Sequence, residues 1–283
     1  MIPDNYLTSL IERAYNEDIG DGDHSSLSCI DVSEYGRAKL IAKESGILAG
    51  VEIAKKVCEY FSEKLKVQVF INDGEKINKG DLVLEISGPQ QDILKAERTI
   101  LNFMQRMSGI ASETAKYVEV LKNYKTKILD TRKTTPGLRL IEKQAVKIGG
   151  GENHRIGLYD MIMLKDNHID YAGGLKNAIS KANQYLKEKK LKLKIEVELR
   201  SIEDVKEVLK IGNVDRVMLD NFNIEDTKLA VELIAGKFEI ESSGGISFDT
   251  LKDYAECGVD YISSGALTHH VKSLDLSLIV QKA

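Results

Sequence analysis

The chain has 283 residues, 42% hydrophobic and 30% charged, with 40 Lys and Arg against 44 Asp and Glu for a formal net charge of −4. That length and balance allow a substantial buried core in one large or two modest domains, and they exclude a disordered or fibrous chain. The slight acidity argues against a dedicated nucleic-acid binder, which would carry a basic stripe, so no nucleic-acid partner is expected.

The opening segment MIPDNYLTSLIERAYNEDIG sets Asp4, Glu12 and Arg13 among its apolar residues. Without an uninterrupted apolar core it reads as a helical start rather than a secretion signal or membrane anchor, so the expected location is the cytoplasm, with no membrane partner. In the acidic run EDIGDGD a calcium loop fails, because the sixth position counted from Asp18 is Asp23 and not glycine. Turn and helix-cap roles are expected for Asp21 to Ser25. Cys29, Cys58 and Cys257 are widely spaced and form no CxxC pair, which predicts reduced, structural thiols rather than disulfides or a zinc site.

Through residue 108 this helical start is joined by strand-like runs, RAKLIAKESGILAG and LKVQVFINDGEKINKGDLVLEISGP, which predict an N-terminal α+β sandwich domain. From Asp92 a helix carries Ile93, Ile100, Leu101 and Met104 on one face. Ser108 and Gly109 are expected to interrupt it, with Ala111, Ala115 and Val118 opening a second helix and the domain boundary at the break. The predicted domains are 1–108, completed by the alternating C-terminal segment 271–283, and 109–270.

Beyond the break, six apolar runs (KILD, MIML, LKIEVE, DRVMLD, FEIES and VDYIS) are separated by helix-length segments. Such alternation implies parallel strands with crossover helices. Six units are too few for a complete eight-fold barrel of about 250 residues. The preferred architecture is a partly open six- or seven-stranded α/β barrel, with a doubly wound sheet as the alternative that periodicity does not separate from it.

The residues at the carboxyl ends of these runs carry the functional reading, because in α/β barrels those ends form the active-site rim. Asp130 is followed by Arg132 and Lys133, and MIML by Lys165; His154 and Arg155 fall between these runs. Cations gathered at strand ends in a net-negative chain point to a multiply charged anion. Glu198 and Asp220 end two successive runs and suit either Mg²⁺, a hard cation that takes few protein oxygens, or an ion pair with a barrel lysine. Ser243, Gly244 and Gly245, then Ser264, Gly265 and Ala266, end the last two runs. Small residues there suit a phosphate held by backbone N–H groups, or simply tight turns.

Taken in order, EDIGDGD at 17–23, KESGILAGVE at 43–52, ERTILNFMQRMSGIAS at 97–112, DTRKTTPGLR at 130–139, GGGENHRIGLYDMIMLKDNH at 149–168, IEVEL at 195–199, MLDNF at 218–222, ESSGGI at 241–246 and SSGALTHH at 263–270 resemble the quinolinate phosphoribosyltransferase family nearly end to end. One departure is GDHSS, where the family more often has threonine after GD; Ser25 or Ser26 can supply a similar cap. The resemblance implies that quinolinate attacks phosphoribosyl pyrophosphate, pyrophosphate leaves and carbon dioxide is lost, giving nicotinate mononucleotide for NAD biosynthesis. It implies that Arg132, His154, Arg155 and Lys165 hold the quinolinate carboxylates, with Thr131 in the binding set. Arg98 would reach in from the neighbouring subunit of a homodimer whose active sites are shared. Lys133 would lie near the ring and the ribosyl phosphates, Glu198 and Asp220 at the ribose hydroxyls and Mg²⁺, and Ser243 to Gly245 with Ser264 to Ala266 around the 5-phosphate. Lys133, Glu198 and Asp220 are the expected catalytic set, and Mg²⁺ the expected cofactor. Competing readings are a relative from molybdenum-transport operons, a lyase using Lys165 as a Schiff base, and a non-catalytic metabolite sensor. The full cation set favours quinolinate.

Overall fold

The computed structural model describes residues 2–281, and its longest element contradicts the expected break at Ser108 and Gly109: one helix of 32 residues spans Gln90–Leu121. The small residues serve close packing instead. A side chain at Gly109 would overlap the carbonyl of Lys272. The buried Ser108 hydroxyl accepts from the Ala49 N–H at 2.9 Å and donates to the Ala49 carbonyl at 3.1 Å. Glycine inside a helix costs about 1 kcal/mol relative to alanine, a cost that this tertiary contact offsets.

Two units make up the chain, and the division at Ala115 falls inside that helix. The first comprises Met1–Ala115, Thr134–Gly150 and Leu267–Ala283. Its four-stranded antiparallel sheet runs in the order Leu276–Val280, Tyr35–Ala42, Leu82–Pro89, Lys66–Val69. Alternation along Tyr35–Ala42 turns Ala38, Leu40 and Ala42 inward, all fully buried, as the period-two geometry of a strand requires. The helix Val51–Phe61 buries Val51, Ile53, Ala54 and Val57. Leu274 donates its N–H to the Gln105 carbonyl at 3.0 Å, and the Gln105 amide reaches the Leu276 carbonyl at 2.8 Å, tying the long helix to the C-terminal strand. The helix Arg139–Ile148 also belongs to this unit. At Gly149, which follows it, the backbone of Ala111 comes too close for any side chain.

The second unit comprises Lys116–Lys133 and Gly151–Ala266 and holds a six-stranded parallel sheet. Its order is Lys127–Leu129, Tyr261–Ser263, Glu239–Ser243, Arg216–Asp220, Ile195–Leu199, Ile162–Leu164. The first strand in the chain therefore lies beside the last, and the others follow sequentially. A doubly wound sheet would reverse direction from a central strand; this order is that of a barrel opened at one seam, between Lys127–Leu129 and Ile162–Leu164. At that seam the seventh strand is reduced to a single parallel bridge between Leu129 and Glu152. Crossover helices Leu175–Lys189, Ile202–Ile211, Ile224–Ile234 and Leu251–Glu256 follow the strands. Ser201 and Asn223 cap two of them by accepting the N–H of Asp204 at 3.1 Å and of Asp226 at 2.8 Å, as N-cap chemistry predicts. Val197, Val217 and Ile262 are fully buried. Among the described residues, no helix is long and apolar enough to cross a membrane.

Candidate active site

Period two along the parallel strands sorts their inward residues into layers. Glu196 pairs in register with Arg216, Glu198 and Glu241 with Met218, and Ser243 with Asp220. Along their own strands Glu198, Asp220 and Ser243 stand at or next to the carboxyl end, and Glu196 and Glu241 lie one strand period below Glu198 and Ser243. A cavity of about 380 Å³ opens over the carboxyl ends. Its cationic wall consists of Arg132, Lys133, Arg155 and Lys165; Thr131, His154, Asp220, Ser243 and Gly244 complete most of the expected set.

Each cation is placed by its local backbone. Arg132 and Lys133 are exposed on the loop after Lys127–Leu129, where the Lys133 N–H donates to Thr131 Oγ1 at 3.0 Å. Arg155 donates from its guanidinium to the Met161 carbonyl at 3.2 Å. Burial first, and the charge of Arg132 second, lower the Arg155 pKa, so two like charges face one space and an anion between them relieves the repulsion. Lys165 ion-pairs with Glu198 at 2.6 Å, the barrel-lysine partner that was one of two readings of Glu198. His168 accepts the Lys165 N–H at 3.1 Å and so buttresses that loop.

On the acidic side, burial first and the charge of Glu198 second raise the Asp220 carboxyl above its usual range. Asn221 stands beside it in a left-handed conformation, φ 57°, and donates from its amide to Asp220 at 2.7 Å. Gly244 and Gly245 both have positive φ, 89° and 63°. A side chain at Gly244 would overlap Asn221, whose N–H donates to the Ser243 carbonyl at 2.9 Å. The Ser263 hydroxyl donates to Ser243 Oγ at 3.1 Å.

Some expected residues stand elsewhere. Gly245, Ser264, Gly265 and Ala266 follow the same strand ends but are not in the cavity wall, where Ser263 stands instead. The Ser264 N–H is already committed to the Leu129 carbonyl at 3.0 Å. Arg98 is exposed on the long helix, in the first unit. His269, in the short helix Ala266–His269, stacks edge-on against His270 with ring centroids 4.1 Å apart.

The lower layer is what sequence reading missed. Glu196 and Glu241 are fully buried, and His154 Nε2 lies 3.1 Å and 3.2 Å from their carboxylates. Arg216 pairs with Glu241 at 3.2 Å and Glu239 at 3.0 Å, with its guanidinium 4.0 Å from the Tyr261 ring centroid. Burial works against the His154 imidazolium and the two carboxylates favour it, but the Arg155 N–H directed at Nδ1 at 2.6 Å needs an unprotonated nitrogen there, so the ring is neutral in this geometry with its one proton on Nε2, between the carboxylates. Burial first and Glu241 second raise Glu196 to about 7. Out of water and close to the Glu241 charge, Glu196 therefore holds a proton until near neutral pH. One ligand atom each from His154, Glu196 and Glu241 comes within 4.8 Å of the others, but a protonated Nε2 has no lone pair for a metal. The signal in the sequence was the pair of acids in IEVEL, one strand period apart inside a fully buried strand.

Residues 110–279 match the quinolinate phosphoribosyl transferase C-terminal domain, and residues 23–108 match its N-terminal domain. A relative from Oryza sativa subsp. japonica, named nicotinate-nucleotide pyrophosphorylase [carboxylating], chloroplastic, is 46% identical over 96% of this chain and 77% of its own length. One from Nicotiana glauca, named quinolinate phosphoribosyltransferase [decarboxylating] 2, mitochondrial, is 44% identical over 96% of this chain and 81% of its own. The solved nicotinate-nucleotide pyrophosphorylase from Francisella tularensis superposes with a TM-score of 0.94 at 40% identity, covering 99% of this chain and 98% of that one. The compartments in these names overturn the expected cytoplasmic location: relatives named chloroplastic and mitochondrial align with 96% of this chain. With both domains matched and relatives alike over almost its full length, the chain belongs to the quinolinate phosphoribosyltransferase family.

Proposed function

We propose that the protein transfers the phosphoribosyl group of phosphoribosyl pyrophosphate to the ring nitrogen of quinolinate, with loss of carbon dioxide, to give nicotinate mononucleotide and pyrophosphate. The observation that carries this reading is the meeting of four cations, Asp220 and the turn at Gly244 at one cavity, with Glu198 held against it by its ion pair with Lys165. Quinolinate is a planar dianion, and the guanidinium forks of Arg132 and Arg155 suit its carboxylates. Lys165 adds a point charge, and Arg98 completes the cradle from a second subunit of a homodimer.

Cleavage at C1 of the ribose gives oxocarbenium character, by analogy with glycoside chemistry. Glu198 and Asp220, at adjacent strand ends, lie where negative charge favours that cation and where the ribose hydroxyls find acceptors. Lys133 neutralises charge developing on the leaving pyrophosphate. The same two carboxylates are hard oxygen donors whose mutual repulsion, seen at Asp220, a cation would relieve; they would hold Mg²⁺ directly or through water. When bound, Mg²⁺ supplies neutralisation of the pyrophosphate charge. Ser243 and the side-chain-free backbone of Gly244 and Gly245 hold the 5-phosphate, with Ser264 to Ala266 flanking it. After ribosylation the ring nitrogen is formally cationic and stabilises the carbanion left by decarboxylation, so the protein contributes mainly orientation and electrostatic preorganisation. The Schiff-base reading is disfavoured, since Lys165 is ion-paired and partly exposed rather than desolvated.

The test is carbon dioxide release from carboxyl-labelled quinolinate with phosphoribosyl pyrophosphate and Mg²⁺, omitting each in turn. Release that needs all three, with an equal amount of nicotinate mononucleotide, is the expected result. Folded protein that releases none under complete conditions sinks the assignment. For the shared site, mixing Arg98→Ala and Lys133→Ala proteins, each inactive alone, should restore about a quarter of wild-type activity through one intact site per hybrid dimer. No recovery after subunit exchange would place Arg98 outside the site.

A further inference from the structure

We propose that Glu196 and Glu241 are positioning residues: they fix the His154 ring, and the ring, through Nδ1, fixes the main chain that carries Arg155. This rests on the functional reading above.

The segment that presents Arg155 has almost no secondary structure of its own. Between Gly151 and Gly157 its link to the sheet is the single bridge of Glu152 to Leu129. Buried side chains hold it instead. Asp130, fully buried, accepts the His154 N–H at 2.8 Å and the Asn153 amide at 2.6 Å. The next peptide N–H, that of Arg155, donates to His154 Nδ1 at 2.6 Å. The direction of that bond depends on the ring plane, and the ring has carboxylates on its other nitrogen from two strands, Ile195–Leu199 and Glu239–Ser243.

Core packing gives no reason for these acids. Both oxygens of Glu196 and Oε1 of Glu241 lack a directed hydrogen bond. Burying an ionised carboxylate costs several kcal/mol, and apolar residues of similar volume in such positions are often neutral or stabilising. Arg216 offsets part of that cost and pins Glu241 from below. The clamp thus stands on rigid strands, while the residue it serves stands on a loop, an arrangement in which a supporting shell sets the precision of a binding group. Both nitrogens of His154 are committed inward, so its part in the cationic cradle is to aim Arg155.

The variants to make are Glu196→Gln and Glu241→Gln, singly and in a His154→Ala background, in the full-length enzyme. Each Glu→Gln change should raise KM for quinolinate about ten-fold and shift KM for phosphoribosyl pyrophosphate less than about two-fold. In the His154→Ala background the same changes should add less than about two-fold, because residues acting through one another are not additive. If a glutamine variant fails to fold, Glu241→Asp, which keeps the charge and withdraws it by one methylene, should show the same split. Equal changes in both KM values, or full additivity with His154→Ala, would overturn the inference. Calorimetric binding of quinolinate separates it from the functional reading. Weaker binding in the variants with no wild-type turnover sinks only the reaction, and intact turnover with unchanged binding sinks only the clamp.

Discussion

The rim of the parallel sheet and the layer beneath it carry opposite charges in opposite surroundings. Above, Arg132 and Lys133 stand exposed on a loop; below, Asp130, Glu196 and Glu241 are fully buried. Exposed in this way, Arg132 and Lys133 cost the folded chain little, and their value appears on ligand binding. The buried acids have no such reserve, and each is matched inside the protein by His154, Arg216, Asn153 or a backbone N–H. The difference teaches that the rim should be read out in turnover and the lower layer in stability as well.

The sharpest way to test that division is Lys133→Ala, which should lower kcat/KM by about 10²- to 10³-fold, a scale typical of lost charge stabilisation at a reacting centre. Its denaturation midpoint should stay near wild type. Lys125→Ala, on a lysine paired with Asp260 away from the cavity, should move turnover less than two-fold by the same assay, an estimate of roughly the size expected for exposed pairs. Similar losses in the two variants would break the distinction between rim and surface.

Gly244→Ala should come next, because it forces a side chain into positive φ and against Asn221. A loss of about 1–3 kcal/mol in chemical denaturation is expected, together with weaker binding of phosphoribosyl pyrophosphate. Unchanged stability would mean that the turn relaxes freely.

A smaller effect should follow pH. Glu196 is raised from 4.5 to about 7 in the folded protein, by burial first and Glu241 second, so the folded state keeps a proton that the unfolded chain sheds; that contribution is present below about 4.5 and lost as pH rises through about 7. Denaturation midpoints should therefore fall as pH climbs from about 5 to about 7, and Glu196→Gln should flatten that slope. A wild-type slope of the opposite sign would contradict the buried proton. Smallest of all, Arg200→Ala removes an exposed pair with Asp170 and should leave the midpoint unchanged in the same denaturation series.

Much of the rim was legible from residue order. The six apolar runs became the six strands, and Arg132, Lys133, Arg155, Lys165 and Asp220 all reached one cavity, because the strand period and the parallel crossover together dictate which end of each strand carries function. Ser108 and Gly109 misled, since the signal that stops an isolated helix is the same one that admits a neighbouring chain, here at Ala49 and Lys272. Ser264 to Ala266 resembled Ser243 to Gly245 by sequence, yet the Ser264 N–H is spent on Leu129, a pairing that no local pattern encodes.

What the sequence determined by itself was the class of fold, the family and the kind of ligand, because hydrophobic period, turn residues and charge at strand ends are local properties of the chain. The tertiary structure alone decided the strand order that makes an opened barrel, the continuity of the Gln90–Leu121 helix, and the joining of Glu196 and Arg216 to His154 and Glu241, which line the cavity. Those depend on non-local pairing: residues far apart in the chain meet only when the sheet is assembled, and their charges acquire meaning only once water has been removed from between them.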